Sequence, residues 1–333
     1  MTDARAGRDY GSTGLRVSPI CLGTSGWGPF RDGESVAGRD ARIEALASAF
    51  FGGELDTNLL DTSNIYGDSE AEILIGRALR AHGGLQPGLV LQTKVDRNVA
   101  TNDFSEAQVW RSLEQSLERL GVDRIQMLFL HDPENIGFDA SLAKGGPMDA
   151  LLAIREQGIA EFIGISGGPV QVLERFVETG YFDALITHNR YTLVDRSASP
   201  LIDRATNMGM GVANAAPYGA GVLTGDPRFR GTYGYAPIRH EVSESVNAMA
   251  RLCADAGVPL AAAALQFSVR DPRIHSTIVG ASSTDRLDEA LRHLEVEMPV
   301  GLWEQLDRLQ PPPWAALDAE VTAQSPPRRD DLK

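Results

Sequence analysis

Cysteine is nearly absent from this chain: its 333 residues hold only Cys21 and Cys253, far apart in sequence. That excludes a disulfide framework and fits a reducing compartment. Cys21 lies inside an apolar run and reads as a core thiol rather than a reactive one. Positive charge is also short, with 31 Lys and Arg against 45 Asp and Glu and a formal net charge of −14. Nucleic acid and anionic membrane are poor partners for such a surface, because both draw proteins through basic patches. Long apolar runs are missing, and none approaches the ~18 residues a membrane helix requires. The opening MTDARAGRDYG lacks the apolar stretch of a secretory leader, so the expectation is a soluble, cytoplasmic protein. The six histidines form no HxH or HxxxH pair, and no metal site is expected.

What the chain does have is 43% hydrophobic residues, enough for a sizeable core, laid out in a repeating order. Short apolar runs fall at 19–23, 58–61, 89–94, 125–131, 162–166, 184–188, 211–216 and 275–280. Amphipathic stretches separate them, at 42–51, 69–81, 105–121, 147–158, 169–180, 200–209, 244–257 and 282–294. In SEAQVWRSLEQSLERLG the residues Val109, Leu113, Leu117 and Leu120 recur at helical spacing, and Gly121 stands where a C-cap belongs. Eight strand-then-helix units predict an α/β fold, a (β/α)8 barrel in one domain over residues 1–310. Residues 1–18 read as an N-terminal hairpin, and long loops follow strands four and seven. Residues 311–333 read as a Pro-punctuated C-terminal tail, partly disordered at its end.

In such a barrel chemistry gathers at the C-terminal ends of the strands. Strands two, three and four end on Asp61, Lys94 and His131, and Tyr66 enters from the turn after strand two. Together they suit hydride reduction of a carbonyl. Charge grows on the carbonyl oxygen, a proton must reach it, and a phenol beside an ammonium can deliver one. Lys94 is expected to lower the phenol pKa and Asp61 to hold the lysine. His131 would donate a hydrogen bond that orients the oxygen. A glycosidase would instead need two carboxylates facing each other, and only Asp61 reaches a strand end. The glycine runs at 209–214 and 219–225 open no helix, which argues against a Rossmann reading.

The segments LLDTSNIYGDSE, LQTK, FLHDPE and FIGIS resemble the successive motifs of the aldo-keto reductases, nicotinamide-dependent oxidoreductases on this barrel. The likeness extends over residues 11–294 and implies a catalytic tetrad of Asp61, Tyr66, Lys94 and His131. THNRYTLVDR and NAAPYGAGVLT are similar to the bacterial and plant sugar-dehydrogenase branch of that family. The resemblance also implies a dinucleotide lying over the rim. Its expected contacts are Gly23, Thr24, Ser166 and His188, the loop residues Pro217, Tyr218, Gly219 and Gly221, and Gly280, Ser282 and Arg286. Three positions depart from the common pattern: Gly167 replaces an Asn, His188 a Gln, and Ala215 a Tyr that would stack on the nicotinamide.

The cofactor is expected to be NAD or NADP, with NAD favoured. Where relatives that prefer NADPH place Lys and Ser, this chain has Gly280 and Ala281, and Asp285 would repel a 2′-phosphate. Arg286 is expected to serve the adenine, and Ser282 with Asp285 is spaced as a capping box. The substrate is expected to be a small aldose, aldehyde or ketone. Trp27, Phe30, Tyr218, Phe229, Tyr233, Tyr235 and Trp314 are candidate walls for a sugar ring, with Trp27 and Tyr218 best placed. Oxidation of an aldose at C1 is the first expectation. Aldehyde, ketone or pyridoxal-type chemistry comes second, and an interaction module like the potassium-channel beta subunits third.

Overall fold

A computed structural model describes residues 7–28 and 34–319. Eight of its strands are parallel and close on themselves: β3 (Ile20–Gly23), β4 (Leu59–Asp61), β5 (Val90–Val95), β6 (Ile125–His131), β7 (Ala160–Gly167), β8 (Ala184–His188), β9 (Gly211–Ala215) and β12 (Ser276–Gly280). Sequential strands are neighbours, and β12 returns to pair with β3 through Thr277 opposite Ile20. This is the (β/α)8 barrel the alternation predicts.

The strands are largely apolar on both faces because they are covered on both sides, with polar residues concentrated toward their carboxyl ends. Side chains alternate across a strand, so Cys21, Leu59, Val90, Met127, Phe129, Ala184, Ile186, Ala213 and Ile278 fill the barrel interior. Leu22, Leu60, Leu91, Leu128, Leu130, Ile163, Ile165 and Val279 point outward into the shell of helices. Room inside is tight: a Cβ added at Gly164 would stand 2.2 Å from the Phe129 ring. The same alternation aims Asp61, Lys94 and His131 inward at the carboxyl rim, above that apolar floor.

The outer helices are α1 (Val36–Phe51), α2 (Glu70–Ala81), α3 (Glu106–Leu120), the short α4 (Phe138–Leu142), α5 (Pro147–Glu156), α6 (Val170–Glu178), α7 (Ser199–Asn207), α8 (His240–Asp255), α9 (Leu260–Val269), α10 (Thr284–Glu295) and α11 (Leu302–Asp307). Helix α1 starts six residues before the expected position, where Ser35 Oγ accepts from the Gly38 N–H at 3.1 Å. Helix α9 has no counterpart among the expected helices. It is buried nearly all round, so it carries no amphipathic stripe to read.

The expected N-terminal hairpin pairs β1 (Arg8–Asp9) with β2 (Arg16–Val17). It drives the fully buried Tyr10 ring under the barrel, where a Cβ at Gly211 would stand 2.8 Å from it. The long loop after β9 folds back through the two-residue strands β10 (Thr232–Tyr233) and β11 (Ala236–Pro237). Part of the expected tail is packed rather than loose. Asp318 is buried, accepts from the Val170 N–H at 2.8 Å at the start of α6, and pairs with Arg190 at 2.9 Å. The packed chain thus runs past residue 310 to at least 318, and residues 320–333 lie outside the described residues.

Candidate active site

Lys94 is 1% exposed, and its ammonium makes three contacts: Asp61 Oδ2 at 2.8 Å, the Thr62 carbonyl at 2.8 Å and the Tyr66 hydroxyl at 3.1 Å. The other oxygen of Asp61 accepts from Gln92 Nε2 at 2.9 Å. A buried ion pair is tolerable only when its remaining hydrogen-bonding capacity is filled, and Gln92 and Thr62 fill it here. Burial alone would lower the Lys94 pKa, but Asp61 and Tyr66 more than reverse that, so the amine stays charged.

At the half-buried Tyr66 hydroxyl the expected pull from Lys94 is present but does not decide the outcome. Burial raises its pKa above the usual phenol value, Lys94 pulls it down, and burial with Asp61 wins. Tyr66 is therefore a neutral phenol at physiological pH, suited to donate a proton to an oxygen gaining charge. Its ring stands edge-on to His131, 5.7 Å between centroids.

Around His131 lie groups the sequence reading did not single out. Its Nδ1 is 2.6 Å from Asp96 Oδ1 and 3.2 Å from Ser63 Oγ, and Ser63 Oγ also donates to Asp96 Oδ2. Asp96 follows Lys94 by two residues, as Lys94 follows Gln92, and Ser63 follows Asp61 by two. Period-two spacing was the available signal. Asp132 Oδ1 lies 3.8 Å from His131 Nε2 and 3.9 Å from His188 Nε2. One carboxylate oxygen each of Asp132 and Glu134 and a ring nitrogen of His188 lie within 4.8 Å of one another. Burial works against ionisation at Asp132, but His131 and His188 outweigh it and hold this carboxyl low, at about 2.

The expected dinucleotide contacts divide into groups. Tyr218, Gly280 and Arg286 line one cavity of about 360 Å³, together with Asp226, Phe229 and Glu289. Gly280 leaves it open, with no atom within 4 Å of a built Cβ. Ser166 pairs in register with His131 across β6 and β7, and His188 stands on the neighbouring strand β8. Gly23 lies in β3, where a Cβ would stand 2.8 Å from Ile278. In the loop after β9, Pro217 is buried, while a Cβ at Gly219 would stand 2.5 Å from the Tyr233 ring and one at Gly221 2.6 Å from the Phe229 ring. Thr24 corrects an expectation: it is wholly buried, with both its N–H and Oγ1 bound to the Asp61 carbonyl, so it braces Asp61 and shows no surface to a ligand. Ser282 is not a cap either, because α10 begins after Ser283 and the Ser282 carbonyl accepts from Arg42.

Two expected substrate walls belong to the core. Trp27 has no exposed surface and donates from Nε1 to the Ala281 carbonyl at 2.8 Å, tying the first loop to the last strand. Tyr233 is buried, with its hydroxyl on the Asn189 carbonyl at 2.6 Å. Tyr235 is 75% exposed and leans over His188 at 6.2 Å between ring centroids, and Trp314 is exposed. Phe30 lies outside the described residues.

The sequence profile of the Aldo/keto reductase family matches residues 19–311. A D-threo-aldose 1-dehydrogenase from a Pseudomonas species is 33% identical over 72% of this chain and 74% of its own length. An L-galactose dehydrogenase from Arabidopsis thaliana is 32% identical over 85% and 86%. An aldo-keto reductase from Bacillus halodurans, solved in its holo form, superposes with a TM-score of 0.70 at 20% identity over 91% of this chain and 96% of its own. With the profile matched over most of its length and its barrel shared, the chain is an oxidoreductase and belongs to the aldo/keto reductase family.

Proposed function

We propose that this oxidoreductase is a sugar 1-dehydrogenase, oxidising the hemiacetal carbon of a small aldose to a lactone. The observation that carries this reading is the convergence of Asp61, Lys94, Tyr66 and His131 on one rim, with Lys94 Nζ 3.1 Å from the Tyr66 hydroxyl. A bound nicotinamide would supply or remove the hydride; the protein's own part is the proton and the oxygen. In the reducing direction Tyr66 gives its proton to the substrate oxygen, and the Lys94 charge stabilises the phenolate left behind. In oxidation the small fraction of Tyr66 that is ionised, stabilised beside that charge, takes the hydroxyl proton of the substrate, so oxidation is favoured as pH rises.

A polyhydroxylated substrate is supported by the groups beside His131. Asp132 Oδ1 and Glu134 Oε2 are buried acceptors with no hydrogen-bond donor within reach among the described residues. Each unmatched acceptor is costly when buried, and sugar hydroxyls supply the donors they lack. Two similar proteins are named for aldose and galactose oxidation, which favours the same class.

The dinucleotide fits this chain at the cavity holding Tyr218, Gly280 and Arg286. The open side of Gly280 admits a bulky group there. Asp226 and Glu289 in the same wall disfavour a further phosphate on the ribose, whereas Arg286 is free to lie flat on an adenine. NAD is therefore favoured. The test is kcat/KM for both oxidised cofactors across aldoses, pyridoxal-type alcohols and simple alcohols. Preference for an aldose with NAD+ is expected. Turnover confined to long-chain or steroid substrates, or a tenfold preference for NADP+, would overturn the substrate or cofactor assignment respectively.

A further inference from the structure

We infer that Asp96 is a positioning residue that fixes which nitrogen of His131 keeps its proton, so that His131 donates to the substrate oxygen only when its ring is doubly protonated. This rests on the oxidoreductase reading above. Whether His131 can donate a hydrogen bond depends on the groups around its ring. Nδ1 lies 2.6 Å from Asp96 Oδ1, and both side chains are buried. The second oxygen of Asp96 accepts from Ser63 Oγ. An ionised carboxylate only accepts, so Nδ1 must be the donor in this contact. A neutral imidazole has one N–H, and with that hydrogen committed to Asp96 the other nitrogen, Nε2 on the side of Asp132, carries a bare lone pair. Protonation adds the hydrogen to Nε2.

The charged and titratable groups facing the ring are Asp96 beyond β5, Lys94 within it, Tyr66 from the turn after β4, the adjoining Asp132 and, across Asp132, His188 on β8. Burial and Lys94 disfavour the imidazolium, but Asp96 and Asp132 prevail, and the His131 pKa is raised. A raised value means that the donor form is complete at low pH and lost as pH rises through that value. Carbonyl reduction should fall over this range and hemiacetal oxidation, which needs the bare Nε2, should rise. Tyr66, held above the usual phenol range, titrates too high to produce this limb.

Two measurements test the assignment. In protein labelled with ¹⁵N at histidine, long-range NMR reads the protonation of each ring nitrogen, and the His131 signal is the one missing from His131→Gln. The neutral wild-type ring should carry its hydrogen on Nδ1. In Asp96→Asn the amide can donate to Nδ1, and the hydrogen should move to Nε2. A neutral wild-type ring protonated on Nε2 overturns the inference, whether or not the enzyme turns over. The second measurement is the pH profile of reductive kcat/KM. Wild type should lose roughly tenfold per pH unit above the His131 midpoint, and Asp96→Asn should flatten this limb to about twofold. An unchanged limb in a folded Asp96→Asn overturns the inference; if that variant fails to fold, the wild-type nitrogen signals decide. Absence of wild-type turnover with any carbonyl or aldose would sink the proposed function instead, leaving the NMR result to judge Asp96 by itself.

Discussion

Tyr66→Phe removes one hydroxyl and keeps the ring that packs against His131. If Tyr66 is the proton donor, kcat should fall by ~10²–10⁴, the usual loss with a general acid. Dinucleotide binding, followed by fluorescence titration, should be preserved, and retained turnover would contradict the proton role. Asp61, Tyr66, Lys94 and His131 were legible because each stands at or just beyond a strand end in the right order. Their partners were less visible. Gln92, Asp96 and Ser63 sit two residues from members of that set, and only tracking the alternation along the strand would have found them. Thr24 and Trp27 were misjudged for a related reason: nearness to a strand end does not say which way a side chain turns. Thr24 turns to the Asp61 carbonyl and Trp27 to Ala281.

Elements were read with more success than their edges. The strands emerged because a doubly covered strand is apolar on both faces, and the outer helices because one face meets water. Helix α9 meets almost none, which hid it. One contact between loops bears directly on the chemistry. Gly67, next to Tyr66, has φ +61°, and a Cβ there would stand 2.7 Å from the Gly28 backbone. Gly67→Ala should therefore push the two loops apart and shift the phenol. Strain of this kind costs ~1–3 kcal/mol, so a modest fall in thermal midpoint is expected, measured by calorimetry. The loss in kcat should be much larger than after an alanine substitution at Gly84, whose surroundings are open. Equal losses at both sites would show that the contact does not position Tyr66.

Across the whole molecule, Asp318 joins parts far apart in sequence. Its carboxylate caps the start of α6 and binds Arg190, just past His188, so the end of the described chain braces the rim. Asp318→Ala removes charge-assisted bonds worth ~1.5–3 kcal/mol, and the urea midpoint should drop accordingly. No change would mean that the strap is decorative. Neither this contact nor its reach to residue 318 was readable from the Pro-punctuated sequence, since nothing local says where a tail docks. The burial of Lys94 has a practical side as well. The sequence contains three lysines, Lys94, Lys144 and Lys333, and Lys144 is exposed on the loop before α5 while Lys94 is sealed beneath Tyr66. Reagents that couple dyes, polymers or beads through lysine amines would find Lys144 and miss Lys94, so the folded protein can be tethered by this chemistry with the Lys94–Tyr66 contact left intact.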